Sequence, residues 1–115
     1  MNLRAMTYVK PTQLINKHIL QYTIVENTWM SNNNHEHGWG NGYVDLPPDH
    51  PMYGKDYDDM PVRIHGGLTF AEKQEDGMWR VGFDTVHAGD TLGKWPKEEV
   101  EKETRYLVEQ LEELW

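Results

Sequence analysis

Among the residues of types that hold metals or move protons, five form the candidate set: His50, His65, Asp84, His87 and Asp90. Imidazole and carboxylate together suit a divalent metal such as zinc or manganese. Three of the five fall in Asp84-x-x-His87-x-x-Asp90. On a helix that spacing would share one side. Here it runs off an alternating segment through Ala88-Gly89, so a tight turn has to gather it. His65 sits beside Gly66 and Gly67 in "VRIHGGLTF", residues 62–70. The set His65, His87 and Asp90 is the metal-ligand combination that chain geometry favours, with Asp84 or His50 behind it. Alternatively the aspartates tie turn amides and the histidines bond loop carbonyls. His35 and His37, in an Asn-rich loop, stand apart.

Other chemistry is poorly provided for. The one serine, Ser31, is not in a Gly-x-Ser-x-Gly setting, and there is no phosphate-cradling glycine loop. "DYDD", residues 56–59, lacks the alternating ligands of a calcium loop and reads as solvated charge. With no cysteine there is neither a disulfide framework nor a thiolate site.

The elements that must position these groups follow from patterning. Residues 20–30 place Leu20, Tyr22 and Ile24 on one face of a strand, and residues 42–46 form a short return strand. Residues 47–61, with four prolines, form a long loop ordered by Met52, Tyr53 and Tyr57. Residues 62–70 and 79–83 read as a hairpin around Asp76-Gly77, which sets Phe70 opposite Phe83 and Lys73 opposite Arg80. That register leaves His65 and Asp84 roughly 13 Å apart, at the usual rise of a strand. Glycines within strands mark a close approach by another group. Gly66 and Gly67 are therefore expected to admit the proline loop or a ligand. From Pro96 to Leu114, Val100, Thr104, Leu107, Leu111 and Leu114 make one helical stripe.

The expectation is a single α+β domain over residues 1–115. A small antiparallel sheet of about four strands packs on one C-terminal amphipathic helix, with 1–18 an N-terminal arm of no assigned structure. The formal net charge of −8 opposes direct nucleic-acid binding and anionic membranes. No apolar run is long enough to span a bilayer, and residues 1–13 lack a secretory core, so a cytoplasmic location is expected.

Taken together, "GYVDLPPDHPMYGKDYDD", "VRIHGGLTF" and "GFDTVHAGD" resemble a group of small proteins encoded by bacteriophages, prophages and some bacteria. Their shared pattern is Gly-Tyr-Val, Pro-Pro-x-His-Pro, Tyr-Gly, His-Gly-Gly-x-Thr and Gly-Phe-Asp-x-x-His-x-Gly-Asp. The resemblance covers residues 42–90 and carries over Pro48, His50, Pro51, Gly54, His65, Gly66, Gly67, Asp84, His87, Gly89 and Asp90. Members often have cysteine where this chain has Asn41 and Thr85. The resemblance implies an accessory protein of a phage or mobile element and no particular reaction. The function expected is binding, either of a host protein or of a small ligand. His50, Tyr53, His65, Gly66, Gly67, Asp84, His87 and Asp90 are the candidate binding residues, and no cofactor is needed. The alternative is a small metal-dependent hydrolase on His65, His87 and Asp90.

Overall fold

The computed structural model describes residues 19–28 and 37–115. The expectations for the N-terminal arm, for His35 and for the end of the first strand lie outside those residues. Four strands and one α-helix are described: β1 (Gln21–Glu26), β2 (Gly40–Leu46), β3 (Phe70–Lys73), β4 (Trp79–Phe83) and α1 (Lys97–Glu113). The strands form one antiparallel sheet in the order β1-β2-β4-β3. The helix lies across β1 and β2, giving the two-layer α+β architecture.

Alternation decides which side of the sheet is core. In β2, Gly40, Gly42, Val44 and Leu46 are buried, and Asn41, Tyr43 and Asp45 between them face the other way. Val81 and Phe83 of β4 join the buried side, together with half-buried Tyr22 and Ile24 of β1. The helix contributes Val100, Thr104, Leu107 and Leu111, all fully buried at steps of four and three. Gly42 lets the two layers meet, since a Cβ there would lie 2.0 Å from the Thr104 hydroxyl and 2.6 Å from the Phe83 ring. Pro96 caps the helix, and Glu98 and Glu99 in its first turn complement the positive end of the helix dipole. No helix among the described residues is long and apolar enough to cross a membrane.

The hairpin differs from expectation in two ways. First, its loop has three residues, Glu75 to Gly77. Gln74 N donates to Met78 O at 2.8 Å, Gly77 N donates to Gln74 O at 3.0 Å, and Gly77 has φ of +88°. A tight turn followed by a left-handed glycine is the usual three-residue hairpin. The extra residue shifts the register by one and sets Glu72, not Lys73, opposite Arg80. A repulsive pair becomes an attractive one. Phe70 consequently lies opposite Gly82 and not Phe83.

Second, the strand begins only at Phe70, led in by Thr69 N donating to Gly82 O at 2.9 Å, so residues 62–68 are not paired in the sheet. They run along the helix, which supplies hydrogen bonds in place of a neighbouring strand. Arg63 N donates to Gln110 Oε1 at 2.7 Å, Gln110 Nε2 donates to Arg63 O at 2.8 Å, and His65 N donates to Glu103 Oε2 at 2.8 Å. Val62, Ile64 and Leu68 still pack on the core.

The proline-rich loop is ordered by the hairpin and the helix end. The Tyr53 hydroxyl donates to Gly77 O at 2.7 Å, and Trp79 Nε1 donates to Lys55 O at 3.0 Å. Residues Tyr57–Asp59 form one exposed 3₁₀ turn, in keeping with solvated acidic residues.

Candidate functional site

Two turns make the site. The first reverses the chain at residues 64–67, closed by Gly67 N donating to Ile64 O at 2.9 Å. Gly66 and Gly67 both have positive φ, +67° and +79°, a region costly for residues with a Cβ. The turn sets the His65 ring against Trp95, with ring centroids 4.1 Å apart.

The second turn follows β4. Buried Thr85 anchors it, its hydroxyl donating to Gly40 O at 2.6 Å while Gly38 N donates to Thr85 O at 2.7 Å. Residues 87–90 then close on themselves. Asp90 N donates to His87 O, and His87 N donates back to Asp90 Oδ2, each at 2.9 Å. The expectation that a tight turn gathers Asp84-x-x-His87-x-x-Asp90 is met by this reciprocal pair.

The two turns meet at Asp90, a carboxylate only 4% exposed. His65 Nε2 lies 2.9 and 3.1 Å from its two oxygens, and His87 Nδ1 lies 3.0 Å from Oδ2. A carboxylate only accepts, so both ring nitrogens facing it carry protons. Burial by itself pushes the Asp90 carboxyl up. The bonds from His65 and from the His87 amide and ring outweigh that and hold it below the ordinary aspartate range. His87 Nε2 sits 3.4 Å from Asp84 Oδ1, and Asp84 also accepts from the Thr69 hydroxyl at 3.0 Å and from Val86 N at 3.2 Å. The result is a chain of polar contacts running His65, Asp90, His87, Asp84, Thr69.

One donor atom each from His65, His87 and Asp90 lies within 4.8 Å of the others. Two imidazoles and a carboxylate are a plausible set for zinc or manganese. A metal would replace the protons on the two facing nitrogens, because a bound nitrogen must offer its lone pair. In the geometry seen, the three groups are already satisfied by one another.

Gly66 explains how the rings come so close. A Cβ there would sit 2.3 Å from His87 Cε1. The group admitted by this glycine is therefore the His87 ring, not the proline loop. Gly67 has no neighbour within 4 Å of where a Cβ would be, so its part is its backbone conformation alone.

His50 and Tyr53 belong elsewhere. His50 is 3% exposed at the far end of the helix, with Nε2 2.8 Å from Leu111 O and Nδ1 accepting from Met52 N at 3.0 Å. Its ring meets Trp115 edge-on. These bonds tie the proline loop to the helix terminus, so His50 is not behind the His65 cluster. Tyr53 fastens the same loop to the hairpin. His37 lies with Nδ1 2.7 Å from Gly38 O, a local contact.

Sequence reasoning missed Trp95, the ring on which His65 rests. Its position directly before Pro96 was the available signal, since a residue at a helix entry is held rigidly. It also missed a recess of about 260 Å³ on the outer face of the sheet, lined in part by Asn27, Asn41, Tyr43 and Phe70. Gly82 makes room there for the Tyr43 ring, which a Cβ would meet at 2.4 Å. No family model, curated protein or solved structure matches the chain.

Proposed function

We propose that the protein acts by binding, as an accessory protein of a phage or mobile element. Its partner in the host cytoplasm is a host protein or a small ligand, taken on the open face of the sheet beside the His65–His87–Asp90 corner. One observation carries the reading. The helix covers a single face of the sheet, and among the described residues no element covers the other. That other face presents half-buried Tyr43, Phe70 and Arg80 and the exposed side chain of Val25. Aromatic and arginine side chains are the groups that dominate protein interfaces. The phage origin rests on the sequence resemblance, and the net charge of −8 favours a basic partner.

Affinity capture from infected host lysate, followed by reconstitution with the purified candidate, tests the reading. The expected result is one dominant partner, retained by wild type and lost with Phe70→Ala. A partner whose binding ignores Phe70→Ala would remove the open face from the proposal.

A second reading is favoured by one observation, the three donor atoms within 4.8 Å. In it, the corner holds a divalent metal and the protein is a small hydrolase. Elemental analysis of untagged protein purified without chelator separates the two. Stoichiometric zinc or manganese that disappears in His87→Ala, with ester or phosphoester hydrolysis by the loaded protein, would support the hydrolase and overturn the binding reading.

A further inference from the structure

The recess on the open face has unusual hydrogen-bonding capacity. Asn27 is 2% exposed, and its Nδ2 donates to Gly38 O at 3.3 Å. A carbonyl only accepts, so the amide nitrogen must face it and Oδ1 is turned away. That oxygen is buried and accepts no hydrogen bond among the described residues. The oxygen of Asn41 is in the same state, its nitrogen lying 3.5 Å from the Tyr43 hydroxyl. Buried polar atoms without partners are rare, and each costs free energy until something meets it. Both residues line the same recess, together with Asp84.

The groups left unmet by the fold are therefore two acceptors, the amide oxygens of Asn27 and Asn41, and beside them stands the Asp84 carboxylate, which accepts from Thr69 and Val86 and keeps its negative charge. No lysine or arginine pairs with Asp84 among the described residues. The walls include the rings of Tyr43 and Phe70, packed edge to face at 5.5 Å. Acceptors, negative charge and aromatic faces together select a flat cation rich in N–H donors.

The same face already holds one such cation. Arg80 makes a two-pronged contact with Asp45, at 2.8 and 3.1 Å, and its guanidinium lies 5.7 Å from the centre of the Tyr43 ring. Further along the sheet, the recess repeats carboxylate and aromatic ring without the cation. At about 260 Å³ it is smaller than the roughly 300–1,000 Å³ of typical small-molecule sites and suits one side chain.

We infer that the recess receives a guanidinium group, the side chain of an arginine on a protein partner. This rests on the binding reading above and names the chemistry its partner must offer. Lysine fits less well, because a single ammonium cannot span separate acceptors in one plane.

The test is an ¹⁵N-resolved NMR titration of the full chain with N-acetyl-arginine amide, and with its lysine and citrulline counterparts. The arginine compound should shift the side-chain amides of Asn27 and Asn41 and the backbone amides of Phe70 and Asp84. Citrulline, the neutral isostere, should not. Asn41→Asp should tighten binding about tenfold and Asp84→Asn weaken it by a similar factor, the scale of one charge-assisted bond. Tightening in Asn41→Asp cannot be mistaken for misfolding. Equal response to citrulline, or unchanged affinity in Asn41→Asp, would overturn the inference. If a captured partner is lost with Phe70→Ala while the arginine compound leaves the recess unmoved, the guanidinium assignment fails and the binding reading stands. If the partner is indifferent to Phe70→Ala, the open face is not where it binds, and the guanidinium assignment fails with it.

Discussion

At the scale of single residues, Asp90 does the most. It closes its own turn and holds two histidines from separate segments. Asp90→Asn keeps the shape but replaces a charged acceptor with a neutral one, and should cost about 1–3 kcal/mol. The pH dependence follows from the sign of its shift. Its folded-state pKa is depressed, so its contribution is complete above the unfolded-state value, near 4, and is lost as pH falls through the folded one. Acid titration of stability should therefore be shallower below pH ~4 in Asp90→Asn than in wild type. Identical acid limbs would mean that Asp90 is not the group responsible. Gly66→Ala and Gly67→Ala make a second comparison. Both force a Cβ into left-handed backbone, at about 1–2 kcal/mol, but only at residue 66 does the Cβ meet the His87 ring. Gly66→Ala should be the more destabilising in urea. Equal losses would show that the ring contact carries no weight.

At the scale of elements, the helix stripe and the strand alternation were both legible, because burial on one face imposes a period that the residues repeat. Leu107→Ala and Leu111→Ala should each lower stability by about 2–5 kcal/mol, read from denaturant midpoints. Gly42→Ala should lose stability for the opposite reason, by overpacking at the helix–sheet contact. A wild-type midpoint in Gly42→Ala would mean that the layers part without cost. The hairpin register was not legible, because Asp76-Gly77 serves two-residue and three-residue loops alike. The only hint was the repulsion that the shorter loop imposed between Lys73 and Arg80. Residues 62–68 misled for another reason. Val62, Ile64 and Leu68 alternate as a strand does, yet what their backbone bonds to is fixed by Glu103 and Gln110, some forty residues away in the chain. The convergence of His65, His87 and Asp90 was readable from the turn between 84 and 90. The Trp95 support was signalled only by its place before Pro96, and the Asn27–Asn41 recess was not signalled, since it depends on which loops lie beside the sheet.

At the scale of the whole molecule, the core is closed by what comes late in the chain. β1 and β2 lie in the first half, β4 packs beside β2, and Val100, Leu107 and Leu111 seal the layer between them. Deleting residues 97–115 should leave a chain with no cooperative unfolding transition by calorimetry. A sharp transition in that fragment would place the core elsewhere. This order also bears on how the protein is made. Contacts that join distant parts of a chain form slowly, because a long loop must close first. On the ribosome, β1, β2 and the β3–β4 hairpin emerge with their apolar faces uncovered, and no partner layer exists until Leu111 has cleared the exit tunnel. Closure of the core then waits on the helix. A ribosome stalled a few codons before Val100 would hold a chain that remains a substrate for chaperones and proteases, however long it waits.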